Sequence, residues 1–251
     1  MAGHSKWSQI KRKKAAEDNK RGKLFGKLIR EITVAAREGG GDPEGNPWLR
    51  TAIENAKAAN MPKDNIEKAI LRGTGELPGA SYEDVSYEAY GPGGVAILIH
   101  AVTDNTNRTV AELRHILERQ GGNLGATGSV AWNFERVGQL LVDASRYQED
   151  AALEAALEAG ALDLLAESDA YVVTTDPNSF HEVQETMRAI GIEIMEASLA
   201  MVPKTTVRVE GREAAKLVTL LEALEDQDDV QAVYSNLDMD EALLSELAGA
   251  K

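Results

Sequence analysis

The sequence contains no cysteine, and that absence removes several classes of chemistry at once. Without thiols there is no disulfide framework, no thiolate nucleophile, no zinc–thiolate site and no iron–sulfur cluster. Aromatic residues make up only 5% of the chain, and no apolar run approaches the roughly 20 residues that a membrane-spanning helix needs. The basic N-terminus has no apolar stretch behind it, and acidic residues follow too early for a transit peptide. We therefore expect an unprocessed, cytosolic protein.

Histidine is scarce as well, and the histidines are not spaced for catalysis or metal binding. No two of them share helical metal-ligand spacing, and no HExxH or triad motif is present; they are His4, His100, His115 and His181. His100 lies in an apolar stretch and is expected to be a core or edge residue. The turn Gly91–Gly94 lacks the Lys-Ser/Thr pair of a phosphate-binding loop and leads into a strand, which favours a plain turn. We predict no enzymatic activity, no cofactor and no metal.

Charge is distributed very unevenly along the chain. The net charge is −14 over 251 residues. Residues 1–75 hold 16 Lys and Arg against nine Asp and Glu, a net +7, whereas residues 76–251 hold 11 against 32, a net −21. Residues 1–30 alone carry +8. Since the Debye length is about 8 Å at physiological salt, an extended basic segment can attract phosphate despite an acidic body. A solvated basic helix without a partner is the equally weighted alternative.

The first 22 residues form a basic arm in which Trp7 and Ile10 are the only large apolar side chains. An arm this polar cannot bury enough surface to fold by itself. It therefore either docks on the rest of the chain through Trp7 or becomes ordered on a partner.

A helical apolar period begins at Leu24 and ends at the glycines 39–41. Asn46-Pro47 has the pattern of a helix N-cap followed by proline in the first turn. After a short break at 59–62, a third helix is expected to end at Gly73. These patterns predict a three-helix domain over about 20–75, followed by a linker.

Beyond the linker, the spacing of the apolar residues alternates between the period of a strand and the period of a helix. Strands are predicted at 95–102, at 130–134, at 137–142, at 170–175, at 192–201, at 205–209 and at 230–234. Helices are predicted from the capping boxes Thr109–Glu112 and Ser179–Glu182, over about 148–160, and along 214–224.

This order of elements indicates ferredoxin-like split β-α-β units. The block at 83–136 has too few elements for a complete unit, and the final strand–helix–strand block supplies what is missing. We therefore predict an α+β protein in which an N-terminal three-helix domain precedes two ferredoxin-like α+β domains, the third inserted into the second. The predicted domains are 1–78, then 79–136 together with 205–240, and the insert 137–204.

Several motifs, in this order, resemble one known family along nearly the whole chain, from Met1 to about Asn236. They are Met-Ala-Gly-His-Ser-Lys-Trp at 1–7, Lys-Arg-Gly-Lys at 20–23, Gly-Gly-Gly-Asp-Pro at 39–43, Tyr-Glu-Ala-Tyr-Gly-Pro-Gly-Gly at 87–94, Asp-Asn at 104–105, Asn-Arg-Thr at 107–109, Gly-Gly-Asn-Leu-Gly at 121–125 and Gly-Ser-Val at 128–130. The chain is thus similar to the YebC family. Ala89 departs from it, since the family usually has glycine there.

The resemblance implies a cytosolic, three-domain protein of the kind described as a DNA-binding transcriptional regulator. It also implies a second role, because mitochondrial relatives are translational activators of cytochrome c oxidase. Other bacterial relatives are tied to ribosome function, including relief of stalling at proline-rich stretches.

The basic segment supplies the candidate nucleic-acid-binding residues. They are Lys6, Trp7, Lys11, Arg12, Lys13, Lys14, Lys20, Arg21, Lys23, Lys27 and Arg30. Each cation can neutralise a phosphate, and Trp7 can stack on a base, although packing against the helical domain is slightly favoured for it. A helix-turn-helix around the break at 59–62 is disfavoured relative to a simple bundle, because Asp64 and Glu67 would face phosphate.

Three hypotheses stay open at this point. The first is a DNA-binding transcriptional regulator, and the second is a ribosome- or RNA-associated translation factor, which the combination of basic arm and acidic body suits. The third is an interaction module whose α+β domains bind a protein or a small ligand.

Overall fold

The computed structural model of the chain describes residues 6–15, 21–167 and 169–249. The chain divides into two compact units, of which the first combines Met1–Phe134 with Val202–Lys251 and the second is Glu135–Met201. The second unit is thus inserted in sequence between two parts of the first. The three domain boundaries derived from the sequence stay a prediction.

Helices and strands alternate after an all-helical start. The helices are α1 Lys6–Ala15, α2 Arg21–Gly39, α3 Pro47–Ala58, α4 Lys63–Gly73, α5 Thr106–Arg119, α6 Glu149–Glu158, α7 Phe180–Ala189, α8 Gly211–Glu225 and α9 Glu241–Gly249. The strands are β1 Glu83–Tyr90, β2 Ala96–Thr103, β3 Asn123–Leu124, β4 Phe134–Asp143, β5 Asp163–Ala166, β6 Ala170–Thr175, β7 Ile194–Pro203, β8 Val207–Arg208, β9 Val230–Ser235 and β10 Leu237–Asp238. The predicted α+β class with a helical N-terminal region is confirmed.

Helices α2, α3 and α4 share an apolar core made by residues at helical spacing. Ile32, Leu49 and Ile66 lie in this core together with the small residues that let the helices approach. Asn46 caps α3 as expected, because its Oδ1 accepts the backbone N–H of Leu49 at 3.0 Å and Pro47 occupies the first turn. The linker at 74–82 has neither helix nor strand.

The first unit also contains a four-stranded sheet in the order β3-β1-β2-β9, whose neighbouring strands are antiparallel. Helices α5 and α8 supply its apolar cover, for example through Leu113 and Leu217, which are fully buried. The short strands β8 and β10 pair in parallel.

The second unit repeats this arrangement with a sheet in the order β5-β6-β4-β7. Strand β6 is antiparallel to both β4 and β5. Helices α6 and α7 bury Ala152, Phe180 and Met187 against this sheet. Two helices packed on a four-stranded antiparallel sheet is the pattern that the split β-α-β prediction required.

Two local predictions were wrong, and a third was confirmed in position only. Residues 130–134 are not a strand, because a 3-10 turn spans Ala131–Asn133 and β4 begins only at Phe134. Thr109 does not cap α5, which begins at Thr106 after the N-cap Asn105, whose side chain accepts from Arg108. Ser179 is the N-cap residue of α7 but makes no side-chain capping hydrogen bond.

Several elements have no clear signal in the sequence. Strand β1 has no apolar run, and only two of its eight positions are buried while three are exposed; α9 follows the last expected strand. None of the helices in the described ranges is long and apolar enough to cross a membrane.

Candidate nucleic-acid interface

Helix α1 docks its apolar side into the core of the first unit. Trp7 is 3% exposed and Ile10 is fully buried, and both belong to the cluster that contains Leu237, Met239 and Leu244. The Trp7 indole N–H also donates to Glu225 Oε1 at 3.4 Å. The arm was expected either to dock on the rest of the chain through Trp7 or to become ordered on a partner, and in the structure α1 is docked. Trp7 packs in the α+β core, not against the helical domain, and in this position its ring is covered.

Three of the predicted phosphate-binding cations lie on one face of α2. Lys23, Lys27 and Arg30 are separated by four and three residues, a spacing that places side chains above one another on a helix. Lys23 Nζ donates to the carbonyl oxygen of Asp226 at 2.9 Å. Lys27 Nζ donates to the carbonyl oxygen of Glu225 at 2.7 Å.

A fourth cation joins the same group from α1. Lys11 Nζ lies 3.1 Å from Glu225 Oε1, while Arg30 donates to the Asp228 carbonyl oxygen and lies 4.0 Å from Asp229 Oδ1. The sequence-predicted residues Lys11, Lys23, Lys27 and Arg30 therefore converge on residues 225–229, which we call the acidic segment. The acidic segment was not predicted as part of the site.

The burial of Lys27 has an electrostatic consequence. Desolvation lowers the pKa of its ammonium group, and the nearby Lys11 and Lys23 act in the same direction, while Glu225 and Asp226 oppose the shift. The acidic segment lies at the C-terminal end of α8, where the helix dipole and the last carbonyl groups are also negative. Cations are therefore held there by carboxylates and backbone oxygens together.

The remaining predicted residues are placed less completely. Lys6 and Arg12 are half-buried on α1. Lys13 and Lys14 belong to α1 and Arg21 begins α2, but their side chains lie outside the described part of the structure. Lys20 lies outside the described residues altogether. Nucleic-acid binding by any of these residues stays a prediction.

Asp229 fixes the acidic segment to the rest of the first unit. Its side chain is 4% exposed and accepts from Arg108 Nη2 at 2.9 Å and from Thr109 Oγ1 at 2.8 Å. Burial by itself would raise the pKa of the Asp229 carboxyl, but the hydrogen bonds from Arg108, Thr109 and Gln227 outweigh burial and hold the pKa below its usual range. The segment is thus anchored by a buried carboxylate that stays charged.

A second buried carboxylate organises the loop before β4. Glu88 is 8% exposed, and its two oxygens accept the backbone N–H groups of Gly128, Val130 and Ala131 at 2.5, 2.6 and 2.8 Å. Burial opposes ionisation, but these three hydrogen bonds lower the pKa of Glu88 below its ordinary value. The loop so fixed presents Trp132 with 66% of its surface exposed.

The groups considered for catalysis have ordinary structural surroundings. His100 Nε2 lies 2.7 Å from Asp84 Oδ1 on the neighbouring strand. The residues Pro92–Gly94 form a 3-10 turn in which Gly93 has a φ of 74°, and a β-carbon there would lie 2.6 Å from Val209 Cγ1. Within the described ranges, no group of three or more acidic or histidine side chains could hold a metal ion.

Helix α4 exposes charges of both signs. Lys63, Lys68 and Arg72 are exposed, as are Asp64 and Glu67, and Lys63 pairs with Glu67 at 3.2 Å. A face with alternating charges favours phosphate much less than the cationic face of α2 does.

Comparison with known proteins covers nearly the entire chain. Residues 5–76 match the model of the TACO1/YebC protein N-terminal domain, and residues 82–237 match the TACO1/YebC second and third domain. Among solved structures, a conserved hypothetical protein from Aquifex aeolicus is similar with a TM-score of 0.85 and 49% identity, covering 89% of this chain and 93% of that one.

The matches to curated relatives cover the chain equally well. A protein of Gemmatimonas aurantiaca is 57% identical over 246 residues, which is 98% of this chain and 100% of that protein. One of Halothermothrix orenii is 56% identical over 250 residues, covering 98% and 99%. Both are named probable transcriptional regulatory proteins. With both family models matched in order and more than half of all residues identical to these relatives, the chain belongs to the TACO1/YebC family.

Proposed function

We propose that this chain is a non-enzymatic regulator of gene expression that binds nucleic acid in the cytosol through the cationic residues of α1 and α2. The observation that carries the proposal is the convergence of Lys11, Lys23, Lys27 and Arg30 on one surface that already binds oxygen atoms. Lysine and arginine use the same donors for carboxylate, carbonyl and phosphate oxygens. The curated relatives are named as transcriptional regulatory proteins, which supports DNA as the nucleic acid and transcription as the regulated step.

The experiment measures binding of a fluorescein-labelled 20-base-pair DNA and of a 20-nucleotide RNA by anisotropy at several salt concentrations. Neutralising Lys11, Lys23, Lys27 and Arg30 together to Gln should weaken binding by about tenfold or more and flatten its salt dependence, because each lost phosphate contact removes about 0.9 from the salt slope on duplex DNA and about 0.7 on single strands. A flatter salt dependence is the signature of lost phosphate contacts.

The matched control neutralises four exposed cations of the helical region that lie outside the basic segment. These are Lys57, Lys63, Lys68 and Arg72. This control changes the net charge by the same amount and should weaken binding much less. Equal weakening by both variants would mean that only net charge acts, and the assignment to α1 and α2 would then be wrong.

A ribosome- or RNA-associated translation factor is the second candidate. It is favoured by the net charge of −21 over residues 76–251, because long flanking DNA repels an acidic body whereas a ribosome offers both RNA phosphate and basic proteins. In-cell crosslinking followed by sequencing of the attached nucleic acid separates the two candidates. Promoter DNA supports the first and ribosomal RNA supports the second.

The interaction-module hypothesis cannot be tested cleanly by removing residues 1–75. Trp7 and Ile10 belong to the core of the first unit, so that truncation also removes part of the core. Point substitution of the cations leaves this core intact. A variant that binds no nucleic acid but retains full cellular activity would favour the interaction module.

A further inference from the structure

The acidic segment occupies the surface that the proposed function assigns to phosphate. Its five residues are Glu-Asp-Gln-Asp-Asp at 225–229. Two carboxylates and three backbone carbonyl oxygens of this segment are the partners of Lys11, Lys23, Lys27 and Arg30. The segment thus presents a row of negative oxygen atoms to a row of cations.

The contact covers two of these cations extensively. The side chains of Lys27 and Arg30 are 18% and 21% exposed, whereas that of Lys11 is 53% exposed. A phosphate can reach Lys11 as it stands, but full engagement of Lys27 and Arg30 requires these two side chains to leave the oxygen atoms of the acidic segment. Nucleic acid and the segment therefore compete for the same donors.

The spacing of the cations suits a polyanion. Helical rise places Lys27 about 6 Å from Lys23 along the α2 axis and Arg30 about 4.5 Å further on. Successive charges of a nucleic-acid backbone meet such a row one after another. The lowered pKa of Lys27 has the same origin, since the ammonium group is covered by protein instead of water.

We propose that the acidic segment is an internal competitor that masks the cationic face of α1 and α2 until nucleic acid takes over the cationic side chains. The inference rests on the proposed function, since a mask requires a surface that binds phosphate. Ion pairs between partly exposed groups contribute little individually and weaken with salt. Four cations contact the acidic segment together, however, so a ligand must offer several phosphates at once to replace all of these contacts. The mask selects against short or isolated anions.

Glu225 offers a conservative way to weaken the mask. Its Oε1 atom accepts from Lys11, from the Trp7 indole and from the backbone N–H of Val233. In Glu225→Gln the side-chain oxygen can still accept from the two neutral donors, while the negative charge that attracts Lys11 and Lys27 is lost. Glu213→Gln is the matched control, because Glu213 is exposed in the first turn of the same helix.

The test measures the affinity of the full-length wild type and both variants for a labelled 20-nucleotide RNA and for a 20-base-pair DNA. Apparent affinity is reduced by the fraction of molecules that are masked, so we expect Glu225→Gln to bind about fivefold more tightly at 50 mM salt. The gap should close near 500 mM salt, where ion pairs are screened. Glu213→Gln should bind like the wild type throughout.

Hydrogen exchange in the unaltered protein gives an independent readout. Addition of saturating RNA should speed amide exchange across residues 225–229 while residues 23–30 become more protected. Unchanged exchange at 225–229 in a protein that has bound RNA would overturn the mask.

The outcomes separate the mask from the proposed function. If the wild type binds and the quadruple neutralisation of Lys11, Lys23, Lys27 and Arg30 weakens binding, but Glu225→Gln equals Glu213→Gln, the mask is wrong and the proposed function stands. If neither the wild type nor any variant binds nucleic acid at 50 mM salt, both are wrong.

Discussion

Helices α7 and α8 pack on similar four-stranded sheets, but they end in opposite ways. Helix α7 has Arg188 in its last turn and is followed by Gly191 with a φ of 90°. Helix α8 has no basic residue in its last turn and ends at Glu225 and Asp226. Negative side chains are unfavourable at a helix C-terminus because the dipole is negative there. The compensating cations come from α1 and α2, about 200 residues earlier in the chain.

The difference between the two helix ends shows how charge and architecture depend on each other in this chain. The second unit holds three Arg against 14 Asp and Glu, yet α7 is balanced by a cation of its own. In the first unit, the basic segment and the end of α8 are each unfavourable alone and become favourable together. Substitutions at the two helix ends should therefore differ in how much they lower the free energy of unfolding and in how far from the substituted residue hydrogen exchange changes.

The largest effect is expected at the anchor of the α8 end. Asp229→Ala should lower the free energy of unfolding by about 3–4 kcal/mol, because it removes a buried charged acceptor and leaves the hydroxyls of Thr103 and Thr109 without it. Urea unfolding followed by circular dichroism measures the change. Asp104→Ala is the control, since Asp104 is a more exposed partner of the same Arg108. Equal losses in the two variants would show that the buried network contributes nothing special.

A smaller loss is expected when the docking of α1 is broken. Trp7→Ala should cost about 2–3 kcal/mol, less than a central core tryptophan, because α1 can undock instead of preserving a cavity. Trp132→Ala removes the same side chain from a site that is 66% exposed and should cost less than about 0.5 kcal/mol. Hydrogen exchange should show that only Trp7→Ala speeds exchange in α1 and at 225–229. A protected α1 in Trp7→Ala would contradict docking through this residue.

The loop held by Glu88 should respond next, and in a pH-dependent way. Glu88→Gln replaces a charged acceptor of three backbone N–H groups and should cost about 1–2 kcal/mol at neutral pH. The pKa of Glu88 is lowered in the folded protein. Its stabilisation is therefore complete above the unfolded pKa of about 4.3 and is lost as pH falls through the lower folded value.

Urea unfolding between pH 7 and pH 2.5 tests this linkage. The stability difference between wild type and Glu88→Gln should shrink toward the acid end of that range. Glu83→Gln, at an exposed position on the same strand, should track the wild type at every pH. A difference that stays constant with pH would mean that the loop is held by packing and not by the carboxylate.

The sequence predicted those parts of the fold whose signal is local. Asn46-Pro47 marked the start of α3, and the apolar run at 95–102 marked β2, because capping and apolar periodicity act between near neighbours. The alternation of Val130, Trp132 and Phe134 led to the wrong prediction of a strand at 130–134. Trp132 is instead exposed in a turn whose conformation is imposed by the distant Glu88.

The candidate site was predictable on one side only. The cations were visible as a charge run, and the spacing of Lys23, Lys27 and Arg30 already placed them on one helix face. Their partners at 225–229 are about 200 residues away, and no local rule links the two segments. The available hint was the unfavourable acidic end of α8, which indicates that cations must come from elsewhere.

The smallest effect is expected at the balanced end of α7. Arg188→Gln removes the only basic residue of the last turn and should cost about 0.5 kcal/mol, because a partly exposed cation at a helix C-terminus interacts weakly with the dipole and the effect is screened by salt. Urea unfolding at 20 mM and 500 mM salt should show the loss at low salt only, with Arg136→Gln at an exposed position of β4 as control. Neutralising Lys27, which serves the α8 end from another helix, should instead speed exchange in α2 and at 225–229 together. If Arg188→Gln also altered exchange in distant segments, or if Lys27→Gln acted only locally, the contrast between a helix end balanced from within and one balanced from afar would be lost.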